Sequence, residues 1–324
     1  AVLFLTMMLC MSVGEISMPF ASIRDVLANH LLGLNIEVEP IDDGIIWNYR
    51  LTRAIVAACC GAGLALSGAV MQALLRNPLA EPYVLGISAG ASTGAVLIVI
   101  LGIGVGVVGL SMGAFAGAFA AFFFVALLSN AMRAGPDRTI LAGVAASQLF
   151  NAVTAYIVTT AANAQQARDV MFWLLGSFGG VRWPEFILLS VVITLGLLGC
   201  LAYSRVLDAF AFGDEAAAAL GVNVGAARMV LFALTALMTA TIVSMVGSIG
   251  FVGLVVPHAM RYVVGPLHAR LLPACALAGA VFMVLADIGS RVLVSQQVLP
   301  VGVVTALVGV PFFSVVLYRM QKAG

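Results

Sequence analysis

The sequence predicts an all-α, polytopic membrane protein with about ten transmembrane helices. Hydrophobic residues fill 63% of the 324 positions and charged residues only 9%, whereas a typical soluble domain has about 25% charged residues. Mean hydropathy is +1.14. The apolar residues fall into runs of about 20, the length that crosses a bilayer as a helix. The composition excludes a soluble domain, because the chain has too few polar groups to cover a water-facing surface.

Charged residues and Gly/Pro breaks separate the apolar runs from one another. The first run begins at Ala1, and we expect it to be a spanning helix that has lost an N-terminal leader. The eighth run is too short to cross a bilayer alone, so we expect a half-helix or a tilted helix there. The predicted spans lie near 1–19, 51–75, 84–101, 107–131, 139–161, 184–204, 228–247, 251–264, 273–293 and 302–319.

The distribution of basic residues predicts the orientation in the membrane. An even number of spans puts both termini on one side, and that side carries nine of the 15 Lys and Arg residues. The opposite side carries the other six, Arg24, Arg50, Arg53, Arg168, Arg182 and Arg291. The positive-inside rule therefore places both termini in the cytoplasm. We treat residues 1–324 as a single transmembrane domain.

A short polar stretch, RNPLAEP, interrupts the pattern between the second and third predicted spans. Asn77-Pro78 and Glu81-Pro82 each stop a helix, because proline lacks an N–H donor and restricts the residue before it. On the predicted orientation this stretch is a cytoplasmic turn. The next two spans carry glycines every four residues, a spacing that lets helices approach closely, at Gly86, Gly90, Gly94, Gly109, Gly113 and Gly117.

Several catalytic and cofactor motifs can be excluded from the sequence. Gly86-Ile-Ser88-Ala-Gly90 has the spacing of a nucleophile elbow, but a spanning helix lacks the required strand-turn-helix context, so packing glycines are the better interpretation. The only lysine, Lys322, is not part of a P-loop. We therefore expect no permanently bound cofactor, and any ATP to be bound by a partner subunit. We interpret the cysteines as small buried hydrophobic residues: Cys10, Cys59, Cys60, Cys200 and Cys275.

The cytoplasmic segment 212–228 is predicted to contain a short helix. Asp214 and Glu215 lead it, where acids complement the helix dipole, four alanines follow, and Gly221 is placed to end it. The residues alone fit a plain surface helix and a helix that docks into another protein equally well.

Arginines mark the outer ends of two predicted spans. Arg50 and Arg53 lie at the start of the second span and Arg291 near the end of the ninth. Such residues anchor helices at the membrane surface, and they also bind carboxylates of a soluble partner. The sequence does not separate these two roles.

Six ordered stretches together resemble one family, the permease subunits of binding-protein-dependent ABC importers for iron-siderophores, haem and vitamin B12. The resemblance extends over about 45–319. The stretches are SGAVMQALLRNPLAEPYVLGISAGAS, ILAGVA, FWLLGSFGG, GDEAAAALGV, GSIGFVGLVVPHAMRYVVG and LPVGVVTALVGVPFF.

The resemblance implies a bacterial inner-membrane homodimer with two ATPase subunits below it and a periplasmic binding protein above it. No nucleic-acid partner is expected. Arg50, Arg53 and Arg291 match positions that receive glutamates of the binding protein, although Thr52 replaces the family's usual proline. Segment 212–222 matches the coupling helix that contacts the ATPase, with the candidate residues Gly213, Asp214, Glu215, Ala217, Ala218 and Gly221.

The resemblance also implies two cytoplasmic gates. The turn between the second and third spans would supply Asn77 and Leu79 nearest the pathway. The loop before the fifth span would supply Pro136 and Asp137.

The stretch QARDVMFWLLGS, 166–177, is similar to the haem branch of the family. Arg168 on the outer side could pair with a haem propionate, Arg182 is a competing entrance residue, and His258 is interpreted as structural. Haem is favoured over an iron-siderophore complex, and vitamin B12 is third. An ion-coupled secondary transporter would need buried ionisable residues, for which Glu15 and Asp287 are the nearest candidates. Composition also leaves a structural membrane scaffold open.

Overall fold

The computed structural model describes residues 1–14, 18–102, 109–129, 135–294 and 297–323. In these ranges the regular structure is helical, which confirms the predicted fold class. A π-helical segment, Ile46–Leu51, joins α3 to α4, and a 3₁₀ turn, Pro82–Leu85, precedes α5. The helices are α1 Val2–Ser12, α2 Phe20–Leu32, α3 Pro40–Ile45, α4 Thr52–Leu74, α5 Ile87–Val99, α6 Leu110–Leu128, α7 Pro136–Ala161, α8 Ala164–Leu174, α9 Trp183–Ala202, α10 Ser204–Phe210, α11 Asp214–Ala219, α12 Val224–Val246, α13 Val252–Val264, α14 His268–Val292 and α15 Val301–Ala323.

The described helices match the second to tenth predicted spans in position but differ from them in length. Six are long and apolar enough to cross a membrane, and four apolar ones are shorter, namely Val2–Ser12, Ile87–Val99, Val252–Val264 and Val301–Val315. The eighth predicted span is short, as expected. The prediction of one helix over 1–19 is wrong, because α1 ends at Ser12 and α2 begins after Pro19.

Helix α4 forms the centre of the bundle and is buried along most of its length. It packs most extensively against α14 and also contacts α9, α12 and α13. Small residues permit this approach: a Cβ added at Gly61 would lie 2.0 Å from the carbonyl oxygen of Gly279 on α14. The two helix backbones therefore lie in direct contact at this point.

The predicted glycine repeats form a second close contact, between α5 and α6. A Cβ added at Gly94 would lie 2.0 Å from the carbonyl oxygen of Gly113, and one added at Gly90 would lie 2.3 Å from that of Gly117. Gly109 lies outside this contact, with no atom within 4 Å of the added Cβ. The four-residue spacing on each helix thus pairs two small-residue stripes face to face.

Two short helices, α5 and α13, begin beside each other inside the bundle. Gly253, in the first turn of α13, packs against Leu64 and Gly68 near the middle of α4. Pro82, just before α5, contacts the same glycine. The RNPLAEP stretch forms the turn between α4 and α5: its first residues are largely exposed, and from Ala80 onward the chain re-enters the bundle.

Candidate functional sites at the two ends of the bundle

At the predicted outer end, Asp287 of α14 is fully buried and binds two arginines. Arg53 Nε and Nη2 donate to Asp287 Oδ1 at 2.9 and 2.7 Å. Arg291 Nη2 lies 3.0 Å from Asp287 Oδ2. The carboxylate neutralises only one of the two guanidiniums, so these three side chains together keep one positive charge. Asp287 is thus an ion-pair residue, which removes it as a free carboxylate for a coupling ion.

The same arginines hold the end of α1. Arg50 Nη1 donates to the carbonyl oxygens of Met11 and Ser12 at 2.6 and 3.1 Å. Arg291 donates to the carbonyl oxygens of Val13 and Cys10. The last carbonyls of a helix have no partners within the helix, so these guanidiniums satisfy them. We call this group the outer arginine cluster: Arg50, Arg53, Arg291 and Asp287.

The structure therefore gathers the three predicted docking arginines into one cluster. Arg53 and Arg291 are mostly buried, with 18% and 9% of their side-chain surface exposed. The acid that holds both was identified in the sequence only as an ion-coupling candidate near an outer end. Asp287 lies four residues before Arg291, and residues i and i+4 share a helix face. This spacing could have predicted the ion pair between them. Glu15, the other coupling candidate, lies outside the described residues.

At the predicted inner end, α10 and α11 form what we call the coupling segment, 204–222. Asp214 accepts two hydrogen bonds from Arg228 Nη2, at 2.8 and 2.9 Å, which ties α11 to the start of α12. Asp208 accepts hydrogen bonds from the backbone N–H of His268 and contacts its ring Nδ1, which ties α10 to the start of α14. Two carboxylates thus fix the segment to two long helices.

The exposed face of the coupling segment differs in part from the predicted one. Ala217 is fully buried, so this residue lies on the inward face, whereas Ala218 and Glu215 are exposed. Phe212 and Leu220 are 80% and 73% exposed. The sequence analysis did not select these two residues. Large apolar residues in a polar segment, beside an alanine-rich helix, are a signal for an interface that could have identified them. Gly213 and Gly221 have φ of +98° and +83°, which glycine tolerates.

The two predicted gates lie on neighbouring elements. Asn77 Oδ1 accepts the backbone N–H of Leu79 at 2.9 Å, which shapes an exposed turn after α4. Pro136 and Asp137 form the first turn of α7. Further along α7, Gly143 packs directly on the carbonyl of Val84 in the 3₁₀ turn. The loop before Gly135 is only partly described, because 130–134 lie outside the described residues.

The two predicted entrance arginines have separate surroundings. Arg168 on α8 is exposed and donates to Gln165 Oε1 at 3.1 Å. Arg182 lies 4.3 Å from the ring centroid of Tyr49 and donates to the carbonyl oxygen of Val181. Arg182 is therefore part of a packed junction between α9 and the π-helical segment, whereas Arg168 remains on a surface.

Helix α8 presents a mixed face beside an apolar groove. Arg168, Met171, Phe172 and Leu175 follow the i, i+3, i+4, i+7 spacing of one helix face and all are exposed. Beyond Leu175 lies a groove of about 550 Å³. Its lining includes Leu174, Leu175, Phe251, Leu307, Val310 and Pro311. Within the described residues no group of His, Cys, Asp and Glu could hold a metal ion.

The long apolar helices of the bundle define the class of this chain, a polytopic membrane protein. The model of the FecCD transport family matches residues 2–319. The chain belongs to the FecCD transport family, and it is a permease subunit of an ABC importer of that type. In this family of importers ATP is hydrolysed by separate subunits.

Relatives with curated names differ in what they import. The cobalamin import system permease protein BtuC of Halobacterium salinarum is 42% identical over 83% of this chain and 72% of its own length. The molybdate import system permease protein MolB of Haemophilus influenzae is 32% identical over 99% and 94%. An inward-facing structure of an ABC transporter described as metal-chelate type has a TM-score of 0.85 at 31% identity, covering 98% of this chain and 96% of its own.

Proposed function

We propose that this permease imports a metal chelate, with haem as the substrate, across the bacterial inner membrane. The observation that carries the substrate is the exposed face of α8, where one guanidinium, Arg168, stands one turn from the apolar Met171 and Phe172. Haem is complementary to this face, because its macrocycle is apolar and its edge carries two carboxylates. A charge-assisted hydrogen bond to one carboxylate contributes about 1.5–3 kcal/mol.

Cobalamin, third in rank from the sequence, becomes the second candidate substrate when the named relatives are considered. The name of the Halobacterium salinarum relative favours it, at 42% identity. Cobalamin has no peripheral carboxylates comparable to the haem propionates, so its recognition would depend less on Arg168. The two candidates therefore predict different effects of removing this guanidinium.

We propose further that the permease works as a homodimer with two ATPase subunits and a periplasmic binding protein. Both termini lie in the cytoplasm. The outer arginine cluster supports docking of an acidic partner, because it keeps net positive charge at a membrane surface. The exposed Phe212, Ala218 and Leu220 of the coupling segment support docking of the ATPase. The turn with Asn77 and Leu79 and the start of α7 with Pro136 and Asp137 act as cytoplasmic gates.

Uptake by reconstituted complexes tests this function. Permease, with the ATPase and binding protein that co-purify with it, is placed in proteoliposomes and offered haem, a ferric siderophore or cobalamin. We expect ATP-dependent haem uptake that falls about tenfold or more in Arg168→Ala, as loss of at least 1.5 kcal/mol requires. Arg24→Ala is the matched control, since Arg24 is also exposed and predicted to face outward. Uptake of cobalamin but not haem would overturn the substrate assignment.

A further inference from the structure

A stack of three rings places the end of helix α2 at a membrane surface. Trp183 is the first residue of α9, whose 20 residues are long and apolar enough to cross a bilayer. The start of a span lies at the level of the lipid headgroups, where tryptophan is enriched. The ring centroid of Trp183 lies 4.9 Å from that of Trp47, and Trp47 stacks on His30 of α2 at 4.1 Å. The last turn of α2 therefore lies next to the headgroup level.

Large apolar residues are exposed around this last turn. Leu31 and Leu32 end α2 and are 68% and 72% exposed, and Ile41 on the neighbouring α3 is equally exposed. Clustered apolar side chains of this kind mark a surface that contacts a protein or a membrane. We call this group the apolar tip, namely Leu31, Leu32, Leu34, Ile36 and Ile41.

Polar contacts hold the apolar tip together. Asn29 Nδ2 donates to the carbonyl oxygen of Ile36, and Asn29 Oδ1 accepts the N–H of Ile36, each at 2.8 Å. His30 Nε2 lies 2.9 Å from Asp43 Oδ1, which joins the end of α2 to α3. The loop after α2 and the helix that follows it are thus fixed beside the same turn.

The charge of the surrounding segment distinguishes between the possible partners. Residues 20–45 carry one arginine, Arg24, and five acids, Asp25, Glu37, Glu39, Asp42 and Asp43. An acidic protein partner, which the outer arginine cluster would attract, is repelled here, since like charges across an interface are unfavourable. Zwitterionic lipid has no net charge and meets no such repulsion. The charge therefore favours a lipid surface over an acidic protein.

The apolar tip is also continuous with a surface that faces lipid. The exposed apolar side of α9 begins one turn after Trp183, at Ile187 and Leu188. The stack of Trp183, Trp47 and His30 connects that surface directly to the end of α2. A bilayer that covers the side of α9 therefore reaches the apolar tip at its headgroup boundary.

We propose that the apolar tip lies in the bilayer, at the boundary between headgroups and acyl chains, and anchors residues 20–45 to zwitterionic lipid. Interfacial helices bury their apolar residues at this depth. Trp47 belongs to the π-helical segment Ile46–Leu51, which also carries Arg50. The anchor therefore fixes the height of this arginine relative to the membrane. The lipid contact does not depend on which substrate the permease carries.

Spin labelling of the permease in phosphatidylcholine nanodiscs locates the apolar tip. Oxygen concentrates in the bilayer and a nickel chelate in water, so the ratio of their collision rates with a nitroxide reports its surroundings. Phe212→Cys is the matched control, because Phe212 is an equally exposed apolar residue of the polar coupling segment. We expect the oxygen-to-nickel ratio at Leu32→Cys to exceed that of the control about tenfold, as for partition of one leucine into lipid. The parent protein corrects for labelling of the native cysteines.

Two further measurements separate the possible occupants of this surface. Phosphatidylglycerol in place of phosphatidylcholine should lower the ratio at Leu32→Cys, because anionic lipid repels the acids of 20–45. Addition of the binding protein that co-purifies with the permease should leave the ratio unchanged. Ile41→Cys provides the same readings if Leu32→Cys does not accumulate.

Three results would overturn the lipid contact as proposed. The first is a ratio at the apolar tip no higher than at Phe212→Cys, which would place the tip in water. The second is a ratio that is equal or higher in phosphatidylglycerol. The third is a loss of collisions with both probes when the binding protein is added, which would make the tip a protein-docking surface. Spin labelling requires neither substrate nor ATPase, so these results are independent of the uptake experiment.

Discussion

Arg53 and Asp287 form a two-pronged ion pair between α4 and α14, with Arg53 Nη2 2.7 Å from Asp287 Oδ1. The pair joins residues 234 positions apart. Asp287 occupies the Nε–Nη2 edge of the Arg53 guanidinium, the side chain that the family resemblance assigns to an acidic partner. A partner's carboxylate must therefore use the remaining edge of Arg53 or displace Asp287.

Loss of Asp287 should destabilise the protein strongly. Asp287→Asn leaves Arg53 and Arg291 mostly buried without their counter-charge, and breaking a buried ion pair in this way costs about 3–5 kcal/mol. Denaturant unfolding of the detergent-solubilised permease measures the free energy. Asp25→Asn is the control, because Asp25 pairs with Arg24, whose side chain is 74% exposed. An equal, small effect of both changes would contradict the structural role of the cluster.

Arg50→Glu should weaken capture of the binding protein and make the remaining binding less sensitive to salt. The change replaces a positive charge at the outer cluster by a negative one, and charge attraction to an acidic partner is screened by ions. Co-purification at two salt concentrations measures both effects. Arg24→Glu is the control at an exposed position on the same predicted side. Equal capture by the Arg50 variant would argue against docking of the binding protein at this arginine.

The coupling segment should respond differently at two adjacent alanines. Ala218→Arg places a charge on the exposed face and should abolish co-purification of the ATPase while the permease keeps its stability. Ala217→Arg places the charge at a fully buried position and should lower stability, since burying an unpaired charge is strongly unfavourable. Size-exclusion profiles and thermal unfolding distinguish the two outcomes. ATPase retained by Ala218→Arg would argue against docking at this face.

The glycine contact between α5 and α6 should be sensitive at Gly94 and insensitive at Gly109. Gly94→Ala places a methyl 2.0 Å from the carbonyl oxygen of Gly113, so the helices must separate, and overpacking of this kind costs about 1–3 kcal/mol. Gly109→Ala has open space around the methyl. Thermal unfolding of both variants, measured in the same detergent, checks the difference. Equal melting temperatures would contradict the close approach.

The sequence by itself determined the fold class and the positions of the apolar segments, apart from the single helix predicted over 1–19. These follow from local composition, since a run of apolar residues fixes a span and a proline or glycine fixes its end. The family resemblance added the identity of Arg50, Arg53 and Arg291 as a set. It did so without showing which of them touch one another.

Tertiary structure alone decided how those residues are used. Asp287 and Arg53 are distant in sequence, so only the packing of α4 on α14 makes them partners. The buried position of Ala217 depends on which face of α11 meets the bundle. Glu81 accepts the backbone N–H of Phe251 because the chain re-enters the bundle after α4. The prolines in the sequence predict where the helix stops, but they do not predict this path. The hydrophobicity of a span is a local property of the sequence. Which side chains pair with each other depends on which helices lie side by side in the fold.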